Sequence, residues 1–352
     1  MLEALISRLR RGEALDAEAI RTAVAALTEE TVATGTKAEF LLALAEKGET
    51  PEEIAGFAAA LRARARALPL DAELRRAPIL DVVGTGGDGL GLINLSTAAA
   101  LLAAADGVRV AKHGNRAITS KAGSADVLEA LGVPVELEPD AAAAALRDRG
   151  FVFLFAPRYH PAFKHIAPAR KLCADRGRRT LFNFLGPLLN PARPTAQLMG
   201  VPRPELCEPL ARVLQSLGVR RGLVVCGRVG EHAGAPAYCD ELSPLGPTTV
   251  AEFHSDHGLN VAEFSPAALP FQPGTLDELR GGDAAENARA LRRILSGGER
   301  GPRRDAVLLN AAAALFVAGR ADSIQAGWER AAELIERGTV RAYLARLTGV
   351  TE

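Results

Sequence analysis

From Pro78 onward, short apolar runs alternate with loops and helical stretches, and this alternation constrains the fold more than any other feature. Pro78 to Val83 reads as a strand that opens into a glycine loop and then an alanine-rich helix beginning near Ser96. It continues with a strand near Val108 to Ala111, a helix from Ser124, a strand near Val133 to Leu137, a helix from Asp140 and a strand at Phe151 to Ala156. Further strands are expected near Gln197 to Val201 and Leu223 to Cys226. Strands and helices in turn, at this spacing, predict a mainly parallel sheet covered by helices on both faces. Glu286 to Leu347 returns to helix, with Asn310 to Phe316 buried by its composition.

The first 68 or so residues carry no strand pattern. Leu2, Leu5, Ile6 and Leu9 mark one helical face, and two later helix starts carry the spacing of a capping box, Thr36 with Glu39 and Thr50 with Glu53, the second with Pro51 at the first helical position. The chain therefore divides into a small all-helical domain over residues 1–70 and a large α/β domain over residues 75–352. Arg62, Arg64 and Arg66 lie two apart, spread around a helix, and read as solvated surface.

The chain has 352 residues, enough for two domains, and its 48% hydrophobic and 24% charged residues leave no room for a long disordered tail. Forty-two basic residues balance 42 acidic ones, so no global field draws nucleic acid or an anionic membrane, and any phosphate site must be local. Cys173, Cys207, Cys226 and Cys239 lack the close spacing of metal knuckles or redox pairs, which suits reduced thiols in a cytoplasm. No stretch is long and apolar enough for a membrane span, and Met1 to Arg11 does not read as an export signal.

In parallel α/β sheets, ligands bind where loops leave the carboxyl ends of strands. Three motifs sit on such loops. Gly84-Thr85-Gly86-Gly87-Asp88-Gly89 lets backbone N–H groups approach oxyanions, although a glycine-rich turn of no special purpose fits the same residues. Asn94-Leu95-Ser96-Thr97 precedes Ala98 to Ala105; Ser96 or Thr97 would cap this helix in any fold, but beside a glycine loop the helix N-terminus also suits a phosphate. Lys112-His113-Gly114-Asn115-Arg116, with Thr119, Ser120, Lys121 and Ser124 behind it, gathers cations and hydroxyls on one loop. A solvated turn with a cap at Ser124 accounts for Lys121. Lys112 ends a buried-looking strand and needs an anion there.

Taken together and in register, GTGGD at 84–88, N-x-S-T at 94–97 and KHGNR at 112–116 resemble the anthranilate phosphoribosyltransferase family of tryptophan biosynthesis. The resemblance extends through His160-Pro161-Ala162, Asn183-Phe184-Leu185-Gly186-Pro187-Leu188 and Asp240-Glu241-Leu242-Ser243-Pro244, over nearly the whole chain. It implies a cytoplasmic glycosyltransferase that joins phosphoribosyl pyrophosphate to anthranilate, a site in the cleft between the domains, a segment near 170–185 that returns to the helical domain, and a homodimer. The resemblance assigns the donor to Gly84, Gly87 and Asp88, to Asn94, Leu95, Ser96 and Thr97, and to Lys112, His113, Gly114, Asn115, Arg116, Ser120 and Ser124.

The same resemblance gives Asp240 and Glu241, with Ser96, as positions for magnesium (Mg2+), which neutralises departing pyrophosphate while taking few protein oxygens. Without it, adjacent carboxylates read as surface charges. Arg170 matches the acceptor-binding arginine, whose fork suits a planar carboxylate, and Gly84, Asn115, His160 and Gly186 are placed along the acceptor channel. Neither His113 nor His165 is assigned as a general base, because the amine of anthranilate can attack an oxocarbenium-like centre before it loses its proton.

Three features depart from the family pattern: Leu92 stands at a hydroxyl position, Leu172 to Arg178 is long, and Gly230 to Tyr238 is irregular. A pyrimidine nucleoside phosphorylase would carry glycine in place of Asn115 and lack the paired Asp240 and Glu241. A non-catalytic relative that binds nucleic acid would show a basic surface and broken metal positions.

Overall fold

The computed structural model describes residues 1–117, 121–232 and 235–349. Its sheet runs β3 (Phe151–Phe155), β2 (Arg109–Gly114), β1 (Ile79–Gly84), β4 (Ala196–Gly200), β5 (Arg221–His232), β7 (Thr248–His254), β8 (Gly258–Phe264), with β6 (Ala235–Cys239) also paired to β5. The first five strands in chain order are parallel, and β6, β7 and β8 add antiparallel. The fold is thus a mostly parallel mixed sheet with helices on both faces and helices alone at the N-terminus.

Side-chain alternation divides the interior. Leu198, Leu223 and Val225 point to one face, where they join the alanine-rich helices Leu95–Ala105 and Pro302–Val317 and the helices Ala284–Leu295, Ile324–Glu336 and Thr339–Thr348. Met199, Val201, Val224 and Cys226 point to the other, where the helix Cys207–Ser216 and the helices of residues 2–62 close a second core. Each fully buried leucine in these layers, such as Leu101 or Leu44, contributes about 2 kcal/mol.

The helical N-terminus is held by more than apolar stripes. Leu2, Leu5, Ile6 and Leu9 are all buried, as their spacing predicts. Thr50 and Glu53 form the full capping box, and the buried Glu53 carboxylate also accepts from Leu15 N–H at 2.9 Å and from Lys47 Nζ at 2.7 Å. Lys37 is buried as well, donating to the Glu29 and His165 carbonyls at 2.5 and 2.9 Å, and its burial lowers its pKa. Ile166, Ala169, Cys173, Leu181, Phe182 and Leu185 share the core of these helices, and Arg178 pairs with Glu46 at 3.2 Å.

Several local expectations are corrected. Val133 to Leu137 is not a strand: Val133 and Val135 are buried without a ladder partner, and Pro134 between them has no N–H to give one. The alternation there records packing alone. Thr36 caps nothing, because the helix Thr34–Lys47 already begins at Thr34, and Glu39 instead pairs with Arg10 at 2.6 Å. The helix expected from Ser124 begins there, although its cap is Gly123 and not Ser124, while those expected from Ser96 and Asp140 begin one residue earlier, at Leu95 and Pro139. Arg62, Arg64 and Arg66 are not idle surface, since they engage the Leu188 carbonyl, Thr28 Oγ1 and Glu138. Phe316 is only partly buried, beneath the Arg221 guanidinium at 4.2 Å.

Candidate active site

β1 and β4 end side by side, with Gly84 paired to Gly200, and the chain returns across both ends at Asp240. A Cβ on Gly84 would stand 2.2 Å from Asp240 Oδ2, and one on Gly200 would stand 1.5 Å from the Asp240 carbonyl oxygen. Only glycine leaves this space. The carboxylate loop is fixed from the far side by Asn310, buried in the helix Pro302–Val317, whose Oδ1 accepts from Leu242 N–H and whose Nδ2 donates to the Leu242 carbonyl, each at 3.0 Å. Asp240 Oδ2 accepts from Gly86 N–H at 2.7 Å, and Glu241 Oε1 from Ser96 N–H at 3.1 Å. The two carboxylates therefore occupy N–H donors of the glycine loop and of the helix N-terminus.

These carboxylates are held above their ordinary pKa range, Asp240 by burial and then by Asp88, Glu241 by burial and then by Asp240. Beneath them lies the Lys112 ammonium, fully buried, which donates to the Val82 carbonyl and to Ser96 Oγ at 3.2 Å. Burial lowers the Lys112 pKa, opposed by Asp81, Glu241 and Asp240. Asp81 is buried too; burial raises its pKa to about 6, against Lys112 and an Asn190 Nδ2 donor at 2.8 Å. Asp88, Asp240 and Glu241 crowd the mouth, with Asp81 deeper, and the single Lys112 ammonium does not balance these four carboxylates. A divalent, oxygen-seeking cation fits that excess.

Around this centre, Asp88 accepts from Leu90 N–H at 3.1 Å and closes its own turn, while Gly86 and Gly87 take positive φ of 68° and 89°. Thr97 Oγ1 is buried without a hydrogen-bond partner. Asn94 is the N-cap residue of its helix yet caps nothing; its side chain accepts from Asn287 Nδ2 at 3.0 Å and donates to the Ala122 carbonyl at 3.3 Å. Leu95 is buried in the core, which leaves only its backbone for a ligand.

A second group extends from β2 toward the returning helix Ala167–Asp175. His113 Nδ1 lies 3.2 Å from the Gly186 carbonyl, and its ring meets that of His160 edge to face at 5.3 Å. His160 then stacks near Phe163 at 5.2 Å, Phe163 meets Phe182 at 5.8 Å, and the Arg170 guanidinium lies over Phe182 at 5.3 Å. Burial pushes the pKa of His113 down to about 3 and that of His160 to about 4, so both rings are neutral. Arg170 is half-buried, its pKa lowered by that burial, and among the described residues its guanidinium has neither hydrogen-bond nor ion-pair partner. His113 Nε2 also lacks a partner.

The remaining expected residues are less uniform. Arg116 is taken up by Glu129 at 2.8 Å, Glu136 at 3.1 Å and Asp126 at 3.3 Å, over the Phe155 ring. The Asn115 carbonyl lies 3.5 Å from Ser124 Oγ, against which Gly114 is also packed. Thr119 and Ser120 lie outside the described residues. Leu92 packs against the main core and bridges Arg280. The long Leu172 to Arg178 link ends in Arg179, whose Nη2 reaches the Gly87 carbonyl at 3.4 Å, and of the irregular Gly230 to Tyr238 segment residues 230–232 end β5 and residues 235–238 belong to β6. Arg179, Asn287 and Asn310 were not anticipated. Only Asn310 gave a signal, as an amide within an alanine run.

The profile of the glycosyl transferase family a/b domain matches residues 76–341, and that of the glycosyl transferase family helical bundle domain matches residues 3–65. Among curated relatives, an anthranilate phosphoribosyltransferase of Syntrophomonas wolfei is 45% identical over 347 residues, covering 99% of this chain and 97% of that one. One from Thermus thermophilus is 46% identical over 335 residues, 95% of each chain. A crystal structure of a Thermus thermophilus anthranilate phosphoribosyltransferase superposes with a TM-score of 0.85 at 43% identity, covering 98% of both chains. The Saccharomyces cerevisiae anthranilate phosphoribosyltransferase in complex with PRPP and Mg gives 0.84 at 28% identity, covering 99% of this chain and 97% of that one.

Proposed function

We propose an assignment of roles for a chain that belongs to the glycosyl transferase family and, within it, to the anthranilate phosphoribosyltransferases. Such an enzyme transfers the phosphoribosyl group of phosphoribosyl pyrophosphate to the amine of anthranilate, in tryptophan biosynthesis, and releases pyrophosphate. The observation that carries the assignment is the pair Asp240 and Glu241 seated on the N–H groups of Gly86 and Ser96.

Those N–H groups, with the backbone of Gly84 and Gly87 and the unpartnered Thr97 hydroxyl, would receive the donor phosphates; Asp88, Asn94, the Leu95 backbone, Asn115 and Ser124 would border them. Magnesium held by Asp240 and Glu241, with Ser96 beside them, would neutralise the leaving pyrophosphate. Lys112 holds the Ser96 hydroxyl from below, and His113 and Gly114 continue its strand. Arg116 acts through its carboxylate cluster, by bracing the loop.

The Arg170 fork would pair with the anthranilate carboxylate, and the ring would lie along the row of His160, Phe163 and Phe182 near Gly186. Two neutral histidines place no cation beside the approaching amine. As the anomeric C–O bond breaks, the amine nitrogen forms the new C–N bond and its proton leaves afterwards, so positioning and leaving-group electrostatics supply the rate.

In the same proposal, residues 1–70 with the returning segment near 170–185 form the small domain, residues 75–352 form the large one, and the enzyme is a cytoplasmic homodimer. Its four cysteines are free and buried, and no helix among the described residues is long and apolar enough to cross a membrane. Anthranilate fluorescence should fall when phosphoribosyl pyrophosphate and magnesium are added. A fluorescence that stays constant overturns the reading.

A further inference from the structure

On a chain of zero net charge, one cavity of about 380 Å³ gathers five cations: Lys121, Arg280, Arg289, Arg293 and Arg303 line it against a single carboxylate, Glu286. That carboxylate is already engaged, accepting from Asp283 N–H at 3.1 Å in a capping box that also serves the N-terminus of the helix Ala284–Leu295. Among the described residues, Lys121 and Arg289 have no hydrogen-bond or ion-pair partner, and both are exposed. Arg303 is held rigid by two carbonyls, those of Glu278 at 2.7 Å and Arg280 at 2.9 Å, which orient its guanidinium without neutralising it. Arg280 and Arg293 each have one flanking carboxylate, Asp277 at 2.9 Å and Glu299 at 3.1 Å.

The cavity shares its wall with the donor loop. Ile93 lines it and donates its N–H to the Leu279 carbonyl at 3.0 Å, while Gly281 N–H reaches the Gly91 carbonyl at 2.8 Å. Asn287, buried on the same wall, is the partner of Asn94. We propose that this cavity is a second, outer site for condensed phosphate, which captures the pyrophosphate-bearing donor before it reaches the glycine loop and retains released pyrophosphate. It rests on the donor assignment above. Local positive potential beside a site raises the encounter rate of an anion, and salt screens that effect.

Calorimetric titration with pyrophosphate and magnesium should show two sites per chain in the parent and one in Arg289→Glu. In turnover, Arg289→Glu should raise the KM for phosphoribosyl pyrophosphate on the order of five-fold at low salt, with kcat and the KM for anthranilate unchanged and the difference closing at high salt. Arg289→Ala, with no partner to lose, should show a smaller shift of the same kind. A purely structural arginine would not alter the salt profile. One pyrophosphate per parent chain, or a salt profile unchanged in both variants, overturns the outer site. Parent protein that leaves anthranilate fluorescence unchanged overturns instead the reading on which it rests.

Discussion

The two ends of the proposed site are opposites in how their polar groups are met. At the glycine loop, Gly86 and Ser96 already donate to Asp240 and Glu241, so every phosphate oxygen that arrives there competes with a carboxylate of the protein itself. At the helix Ala167–Asp175, the Arg170 guanidinium has no hydrogen-bond or ion-pair partner among the described residues, so a carboxylate arriving there displaces no anion of the protein. One end is satisfied by anions that must be neutralised or moved, and the other is short of an anion. Binding at the first should depend on a cation, and binding at the second on the shape and charge of the acceptor alone.

The strongest way to break this contrast is Asp240→Asn with Glu241→Gln. The amide oxygens can still accept from Gly86 and Ser96, so the fold should stand, while kcat falls on the order of 100-fold and the magnesium requirement moves upward. A magnesium titration that matches the parent removes the pair from the metal. Next comes Arg170→Ala. Loss of charge-assisted hydrogen bonds worth about 1.5 to 3 kcal/mol should raise the KM for anthranilate roughly 10- to 100-fold, with little change for the donor. Because Arg170 is half-buried and unpaired, the melting temperature should hold or rise. Equal KM changes for both substrates, or a large fall in melting temperature, would contradict the contrast.

What the sequence made legible at these two ends differs for the same reason. GTGGD at 84–88, N-x-S-T at 94–97 and the adjacent Asp240 and Glu241 are contiguous motifs whose backbone does the work, so they can be read in order. The proposed acceptor row of His113, His160, Phe163 and Phe182 is scattered along the chain, and nothing local distinguishes a ring that stacks from a ring in the core. Strands β1 to β5 were visible because strands and helices there differ in period. β8 was missed because it lies at the edge, mostly exposed, without an apolar face, and β6 because most of it is exposed too. Val133 to Leu137 misled in the opposite sense, alternating for packing on a backbone that Pro134 keeps out of a ladder.

The histidines sharpen the acceptor end at smaller amplitude. Their folded pKa values, about 3 for His113 and about 4 for His160, lie below the roughly 6.5 of an unfolded histidine. The unfolded chain therefore binds the proton first. Their contribution is fully present above about pH 6.5 and is lost as the pH falls through the folded values, at about 1.4 kcal/mol per pH unit for each ring. Chemical denaturation between pH 7 and 4 should show this slope, and His160→Asn should lessen it; an unchanged slope would mean that His160 is accessible to protons in the folded state.

The smallest effect is expected at Leu92. Since it packs on the core, Leu92→Thr should gain no donor affinity and should lower stability by about 1 kcal/mol, read from titrations with phosphoribosyl pyrophosphate beside thermal melts. Tighter donor binding at an unchanged melting temperature would show that a phosphate contact is missing there.

Three of the contacts that shape the donor end span long stretches of chain. Gly86 meets Asp240 across 154 residues, Ser96 meets Glu241 across 145 and Asn94 meets Asn287 across 193. Closing loops of that length is slow and comes late, so the glycine loop is synthesised long before its partners exist. A nascent or truncated chain ending before Asp240 carries the recognisable motif without the groups that shape it. Donor binding then reports that folding is complete, and the donor itself, by favouring only the finished state, draws the chain toward it.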